Sequence, residues 1–157
     1  MEAIRTAPLA QRLALGIPLL LLGGAYLGQF GFDLYPCEMC WWQRYPHFAA
    51  VGFGLLSFLA PPRNLWVVLA GLCILVSGLI GGFHAGVEYH WWEGITACAS
   101  TIEPGANAME AILNAPLVRC DAAPWDLFGI SLAGWNFLIS TVSGLAILWL
   151  VARKKGA

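Results

Sequence analysis

The sequence predicts an all-α membrane protein: one domain, 1–157, built as a four-helix transmembrane bundle with a short first outer loop and a long second one. Two observations carry that expectation. The 157 residues are 59% hydrophobic and only 11% charged, where an ordinary soluble domain has about 25% charged residues. The charges are also segregated. Leu13–Phe32, Tyr45–Pro62, Asn64–Val87 and Leu127–Ala152 contain no Lys, Arg, Asp or Glu. Each run is about long enough to cross a bilayer as a helix, and none alternates as a barrel strand would. Disorder, a basic nucleic-acid-binding domain and an ordinary cytosolic enzyme are excluded on the same grounds.

In chain order, a tail with Arg5 and Arg12 leads into a first span over about 13–31. Pro18 kinks it or marks its first turn, and its glycines permit close helix contacts. The run is long for the apolar core of a signal peptide. A loop over about 32–44 precedes the second span, about 45–60, where Pro46 is expected at the helix start. Pro61-Pro62-Arg63-Asn64 is a tight turn, so the second span pairs as a hairpin with the third, about 65–87. A loop over about 88–126 then reaches the last span, about 128–151. That loop is acidic, with Glu88, Glu93, Glu103, Glu110, Asp121 and Asp126. Within it, Asn107–Leu113 reads as a small interfacial helix with Met109, Ile112 and Leu113 toward lipid.

Orientation follows from the basic residues. Arg5, Arg12, Arg63, Arg153, Lys154 and Lys155 fall on one side of these spans, and only Arg44 and Arg119 on the other. Both termini are therefore expected in the cytoplasm and both larger loops outside. Tryptophans cluster near both sets of span ends, as at membrane interfaces.

Topology sorts the five cysteines. Cys37 and Cys40 lie in the first outer loop, Cys98 and Cys120 in the second, and Cys73 inside a span as a small hydrophobe. Four cysteines thus sit where disulfides persist. Cys37-Glu38-Met39-Cys40 is a C-x-x-C, able to close a small exchangeable disulfide. A structural staple and a four-thiolate zinc site are the competing readings; the Cys98…Cys120 spacing is poor for a metal knuckle. Arg44 follows Cys40 by four residues. If the helix extends back through this segment, the two share a face, and cation and helix N-terminus together lower the thiol pKa. Snorkelling to headgroups is compatible with that role. The long loop suits a second disulfide presented to a soluble partner.

Electrons taken from a dithiol must leave the chain. It has no haem Cys-x-x-Cys-His, no dinucleotide-binding Gly-x-Gly-x-x-Gly and no domain for a flavin. A membrane quinone is the economical acceptor. His84 is a candidate to hydrogen-bond or protonate it. His90 and His47 lie near span ends with no assigned role.

The stretches Tyr35-Pro36-Cys37-Glu38-Met39-Cys40-Trp41-Trp42-Gln43-Arg44-Tyr45-Pro46, Phe83-His84-Ala85-Gly86-Val87-Glu88, Trp91-Trp92-Glu93-Gly94, Cys120-Asp121, Pro124-Trp125 and Leu127-Phe128-Gly129-Ile130-Ser131 together resemble the DsbB family of inner-membrane disulfide-generating enzymes. The resemblance implies a quinone reductase, using ubiquinone or menaquinone and no metal, that reoxidises a periplasmic thioredoxin-like thiol oxidase of the DsbA type. It implies that the partner attacks Cys98, that Cys120 is the intraloop mate and engages Cys37, and that Cys40 is the thiolate facing the quinone, polarised by Arg44. Two other readings are a vitamin K epoxide reductase-like enzyme and a non-enzymatic scaffold with structural disulfides. The first expects its Cys-x-x-Cys near the final span, whereas here it precedes the second. A transmembrane thiol carrier would need a second pair that Cys73 alone cannot form.

Overall fold

The structure, a computed structural model, describes residues 8–96, 109 and 118–153. Among them are four long helices: α1 Pro8–Gly31, α2 Glu38–Leu59, α3 Arg63–Glu88 and α4 Leu132–Arg153. A two-residue antiparallel ladder, β1 Asp126–Leu127 with β2 Ile130–Ser131, immediately precedes α4. Helices α1, α3 and α4 are long and apolar enough to cross a membrane. Helix α2 equals α4 in length at 22 residues, but Gln43, Arg44 and His47 load its first half with polar groups.

The charge-free runs locate the helices but misplace several ends. Helix α2 starts at Glu38 rather than near 45. Cys37 is its N-cap, with φ −75° and ψ 176°, and its Sγ accepts the Cys40 N–H at 3.2 Å. A side-chain acceptor at this position satisfies one of the otherwise orphaned N–H groups. Glu38, charged but in the first turn, suits the positive end of the helix dipole. Pro46 consequently lies inside α2 rather than at its start. Next to the carbonyl that Pro46 leaves without a donor, Ser77 of α3 donates its hydroxyl to Gln43 O at 2.8 Å.

Helix α4 begins at Leu132, later than expected, because 126–131 fold as a hairpin. Phe128 and Gly129 have φ of 56° and 75°, as a primed two-residue turn requires. Helix α3 runs on through Glu88, which is buried instead of belonging to the exposed acidic loop. Of the proposed interfacial helix Asn107–Leu113, all but Met109, which is helical and exposed, lies outside the described residues.

Helix α3 is central, packed along α2 and α4; α1 leans mainly on α2. Small residues let α3 and α4 approach closely. A Cβ at Gly78 would stand 2.7 Å from Thr141 Oγ1 and 2.9 Å from its backbone N, and one at Gly144 would be 3.1 Å from Gly71 O. The interior has two apolar clusters. One joins Ala10, Ala14, Ala50, Val67, Ala70, Ile74, Ile147 and Val151. The other joins Cys37, Met39, Val87 and Cys120 at the opposite end. Along α2, α3 and α4 the positions between them carry Gln43, His47, Ser77, Asn136 and Ser140.

Gly78→Ala should destabilise the α3–α4 crossing by about 1–3 kcal/mol, the usual range for overpacking. Gly52→Ala meets no atom within 4 Å and should stabilise α2 by roughly 0.5–1 kcal/mol. Thermal unfolding of both variants in detergent, followed by circular dichroism, checks the opposite signs.

Candidate functional site

A C-x-x-C at a helix start puts its first sulfur in the capping position and its second one turn above. Here Cys37 Sγ and Cys40 Sγ are 2.8 Å apart, with Cys37 donating to Cys40. The described cysteines, Cys37, Cys40, Cys73 and Cys120, are all free thiols. The hydrogen bond separates the pair electrically. By donating, Cys37 is held far above the ordinary thiol range, and its burial adds to the rise. By accepting, Cys40 falls below that range against the opposing cost of burial, and the Arg44 charge assists. Of the pair, Cys40 is therefore the sulfur that ionises more readily.

Arg44 lies one turn beyond Cys40 and is buried. Its Nη1 donates to Gln29 Oε1 at 2.6 Å and its Nη2 to Ala25 O at 3.3 Å, both on α1. The guanidinium is flanked by the rings of Tyr26 and Trp41, each centroid 5.0 Å from Cζ. Among the described residues no carboxylate pairs with it, so its contacts orient the charge without neutralising it.

His84 comes to the same place from the C-terminal end of α3. Its Nε2 is 3.6 Å from Cys37 Sγ and 3.7 Å from Glu88 Oε1, and its Nδ1 is 2.8 Å from Gln43 Nε2. Cys120, just ahead of the hairpin, is buried beside them. Cys37 Sγ, Cys120 Sγ and a ring nitrogen of His84 all lie within 4.8 Å of one another. These are soft donors, but three is one fewer than a closed zinc site takes. Next to Cys120, Arg119 grips exposed Asp121 through Nε at 2.8 Å and Nη2 at 2.5 Å and holds its carboxyl at about 2.

Cys40, Gln43, Arg44, His47, His84, Glu88 and Asn136 line one side of a cavity of about 580 Å³. Leu20, Gly24, Leu27 and Gly28 of α1 form an apolar wall, and Trp125 and Trp135 border it. Two buried polar atoms of its lining residues, His47 Nδ1 and Glu88 Oε2, have no hydrogen-bond partner among the described residues.

Of the residues singled out from sequence, Cys37, Cys40, Arg44, His84 and Cys120 are brought together, and His47 joins them at the cavity. Cys98 lies outside the described residues. His90 follows the end of α3, exposed and with φ 58°, away from the cavity. Cys73 packs against the opposite apolar cluster. Gln43, Asn136 and Glu88 were not singled out. The available signal was the presence of Ser77, Asn136 and Ser140 inside otherwise apolar runs, where polar residues are costly and functional; Gln43, in the loop segment beside Arg44, carried no such signal.

In the reduced protein, iodoacetamide should modify Cys40 before Cys37, because only the thiolate reacts and Cys40 ionises more readily. The preference should persist as pH falls through neutrality, since Cys40 lies below and Cys37 far above the usual thiol range. Mass spectrometry of the alkylated peptide after timed quenching measures the order.

The sequence profile of the family described as Disulfide bond formation protein DsbB matches residues 8–151. A Disulfide bond formation protein B of Verminephrobacter eiseniae is 33% identical over 148 residues, covering 85% of this chain and 79% of its own length. One from an Azoarcus species is 32% identical over 146 residues, covering 87% of this chain and 86% of its own. An uncharacterized protein of Rickettsia prowazekii is 24% identical over 130 residues, with 79% and 76% covered. No solved structure matches. The capped Cys-x-x-Cys beside Cys120 is thus carried by a chain that belongs to the DsbB family, multi-pass membrane proteins of disulfide bond formation.

Proposed function

We propose that this chain is a quinone-dependent thiol–disulfide oxidoreductase of the inner membrane that reoxidises a periplasmic thioredoxin-like dithiol oxidase of the DsbA type. The observation that carries the reading is the placement of Cys40: 2.8 Å from Cys37 on one side and lining the 580 Å³ cavity with Arg44 on the other. In this reading α2 spans with the other three helices, both termini are cytoplasmic, and the segments 32–44 and 88–126 belong to the periplasmic side.

The cavity suits a quinone, either ubiquinone or menaquinone. Its α1 wall is apolar, as a ring and polyprenyl tail require, and Arg44, His47 and Glu88 supply polar atoms in a wall that otherwise offers few. A bound quinone supplies a two-electron, two-proton acceptor. Cys40 presents the electron-rich sulfur to it, Arg44 holds positive charge beside that sulfur, and His84 forms part of the wall. Cys40 is half-buried and faces the cavity, so a ligand filling that space would shield the sulfur from water.

On the thiol side, the reduced partner attacks the Cys98–Cys120 disulfide at Cys98. Cys120 then exchanges with Cys37, freeing Cys40. The 4.8 Å cluster of Cys37, His84 and Cys120 supports that exchange, because attack needs a thiolate in reach of an accessible sulfur.

Purified protein given a reduced thioredoxin-like partner should reduce ubiquinone or menaquinone, read by quinone absorbance. Cys40→Ser should abolish turnover, and normal turnover in that variant would sink the mechanism. Arg44→Gln should lower kcat/KM for quinone by about tenfold or more, the scale of a lost charge-assisted contact. Cys98→Ser should block oxidation of the partner while quinone binding survives. Cys73→Ala should turn over at nearly the parent rate.

A further inference from the structure

The polar layer beneath the cysteines determines where two protons sit. Its fixed point is the Ser77 carbonyl, which can only accept. Asn136 Nδ2 donates to it at 3.2 Å and to Ser77 Oγ at 3.1 Å. That orients the Asn136 amide, so Oδ1 faces Ser140 Oγ at 2.8 Å and His47 Nε2 at 3.0 Å. Asn136 Nδ2 also donates to Gln43 Oε1 at 2.8 Å. Gln43 is thereby oriented in turn: its Nε2 donates to Met39 O at 3.1 Å and to His84 Nδ1 at 2.8 Å. Because Nδ1 of His84 accepts, a neutral ring carries its proton on Nε2. Nε2 is the nitrogen that faces Cys37 Sγ.

The geometry points to His84 as a catalytic hydrogen-bond donor to Cys37: Nε2–H stabilises the thiolate at Cys37 Sγ when that sulfur leaves Cys120, and Gln43 and Asn136 are positioning residues that hold the ring in the donor tautomer. The inference rests on the Cys37–Cys120 bond formed in the exchange proposed above and assigns a group to the later step that breaks it, so that Cys37 can re-form its disulfide with Cys40. In that step an incoming thiolate bonds to Cys120 Sγ, the Cys37–Cys120 bond breaks, and the electron pair goes to Cys37 Sγ. One disulfide replaces another and one thiolate replaces another, so no external oxidant or reductant enters. The two sulfurs of the C-x-x-C are then served separately. Cys40 has Arg44, and Cys37, away from that cation and buried, has the imidazole N–H. Glu88 Oε1 lies 3.7 Å from the same nitrogen, beyond hydrogen-bond distance, and leaves Cys37 Sγ at 3.6 Å as the side-chain acceptor facing Nε2.

The titratable or charged groups around His84 are Cys37, Cys40, Arg44 and His47 from α2, Glu88 from its own helix, and Cys120. Helix α4 contributes only neutral groups here, Asn136 and Ser140. The test removes the other thiols and needs neither quinone nor partner. In a variant with Cys40, Cys73, Cys98 and Cys120 all changed to Ser, the rate of Cys37 alkylation by iodoacetamide is measured against pH. Adding His84→Ala should slow it about tenfold at pH 7 and move the thiolate midpoint up, the scale of one pKa unit. Gln43→Leu should slow it in the same direction, although Gln43 does not touch Cys37. Nitrogen-15 chemical shifts of the His84 ring in the parent protein should show Nε2 protonated and Nδ1 bare. An unchanged Cys37 profile in folded His84→Ala protein, or a ring protonated on Nδ1, overturns the inference. Should His84→Ala fail to fold, Gln43→Leu and the ring shifts decide it. These readouts are independent of quinone reduction, so their failure leaves the proposed overall reaction standing or falling on its own assay.

Discussion

The side-chain amide of Asn136 holds the architecture in register. In a bilayer the tails are as apolar as leucine, so helix association relies on close packing and interhelical polar contacts. From α4, Asn136 reaches Ser77 on α3 and both Gln43 and His47 on α2. Replacing it would leave several buried partners unsatisfied, each at a cost of about 1–3 kcal/mol. The apolar clusters on either side of this layer fill space, but sliding one helix past another would leave their contacts chemically similar. The amide contacts admit one register, and that register sets the Cys-x-x-Cys of α2 against the C-terminal end of α3.

Above that layer, the local chemistry of a helix start does much of the remaining organisation. Cys37 caps α2, so its sulfur is fixed by the backbone of its own partner cysteine. Cys40 and Arg44 follow on one face by helical periodicity alone. Helix α1, which packs less extensively than the others, contributes through Tyr26, Gln29 and Ala25, and each touches Arg44. The result is a buried cation held by neutral groups one turn from Cys40, with no carboxylate among the described residues to cancel the field it provides.

Much of this was legible in the chain. Charge-free runs marked the helices, the segments between them sorted Cys37, Cys40 and Cys120 from Cys73, and the spacing of Cys40 and Arg44 anticipated their shared face. The helix ends were less legible, because absence of charge reports an apolar surrounding, whereas a helix ends where its caps are. Cys37 carries α2 back beyond its apolar stretch, and the Phe128-Gly129 turn delays α4. The contact between Gln43 and Asn136 spans 93 positions, and no local pattern pairs them. Glu88 and His90 look equivalent on paper, two residues apart at the end of an apolar run. Helix α3 buries the first, and a positive φ at the second turns it outward.

Leu20 and Leu27 both line the cavity and stand 74% and 63% exposed on the outer surface of α1. The wall there is a single helix, long and apolar enough to cross a membrane. A ligand using that wall arrives by diffusion in the plane of the bilayer. Saturation is then governed by the ligand's mole fraction in the lipid or micelle, and added detergent acts as a diluent even at constant bulk concentration.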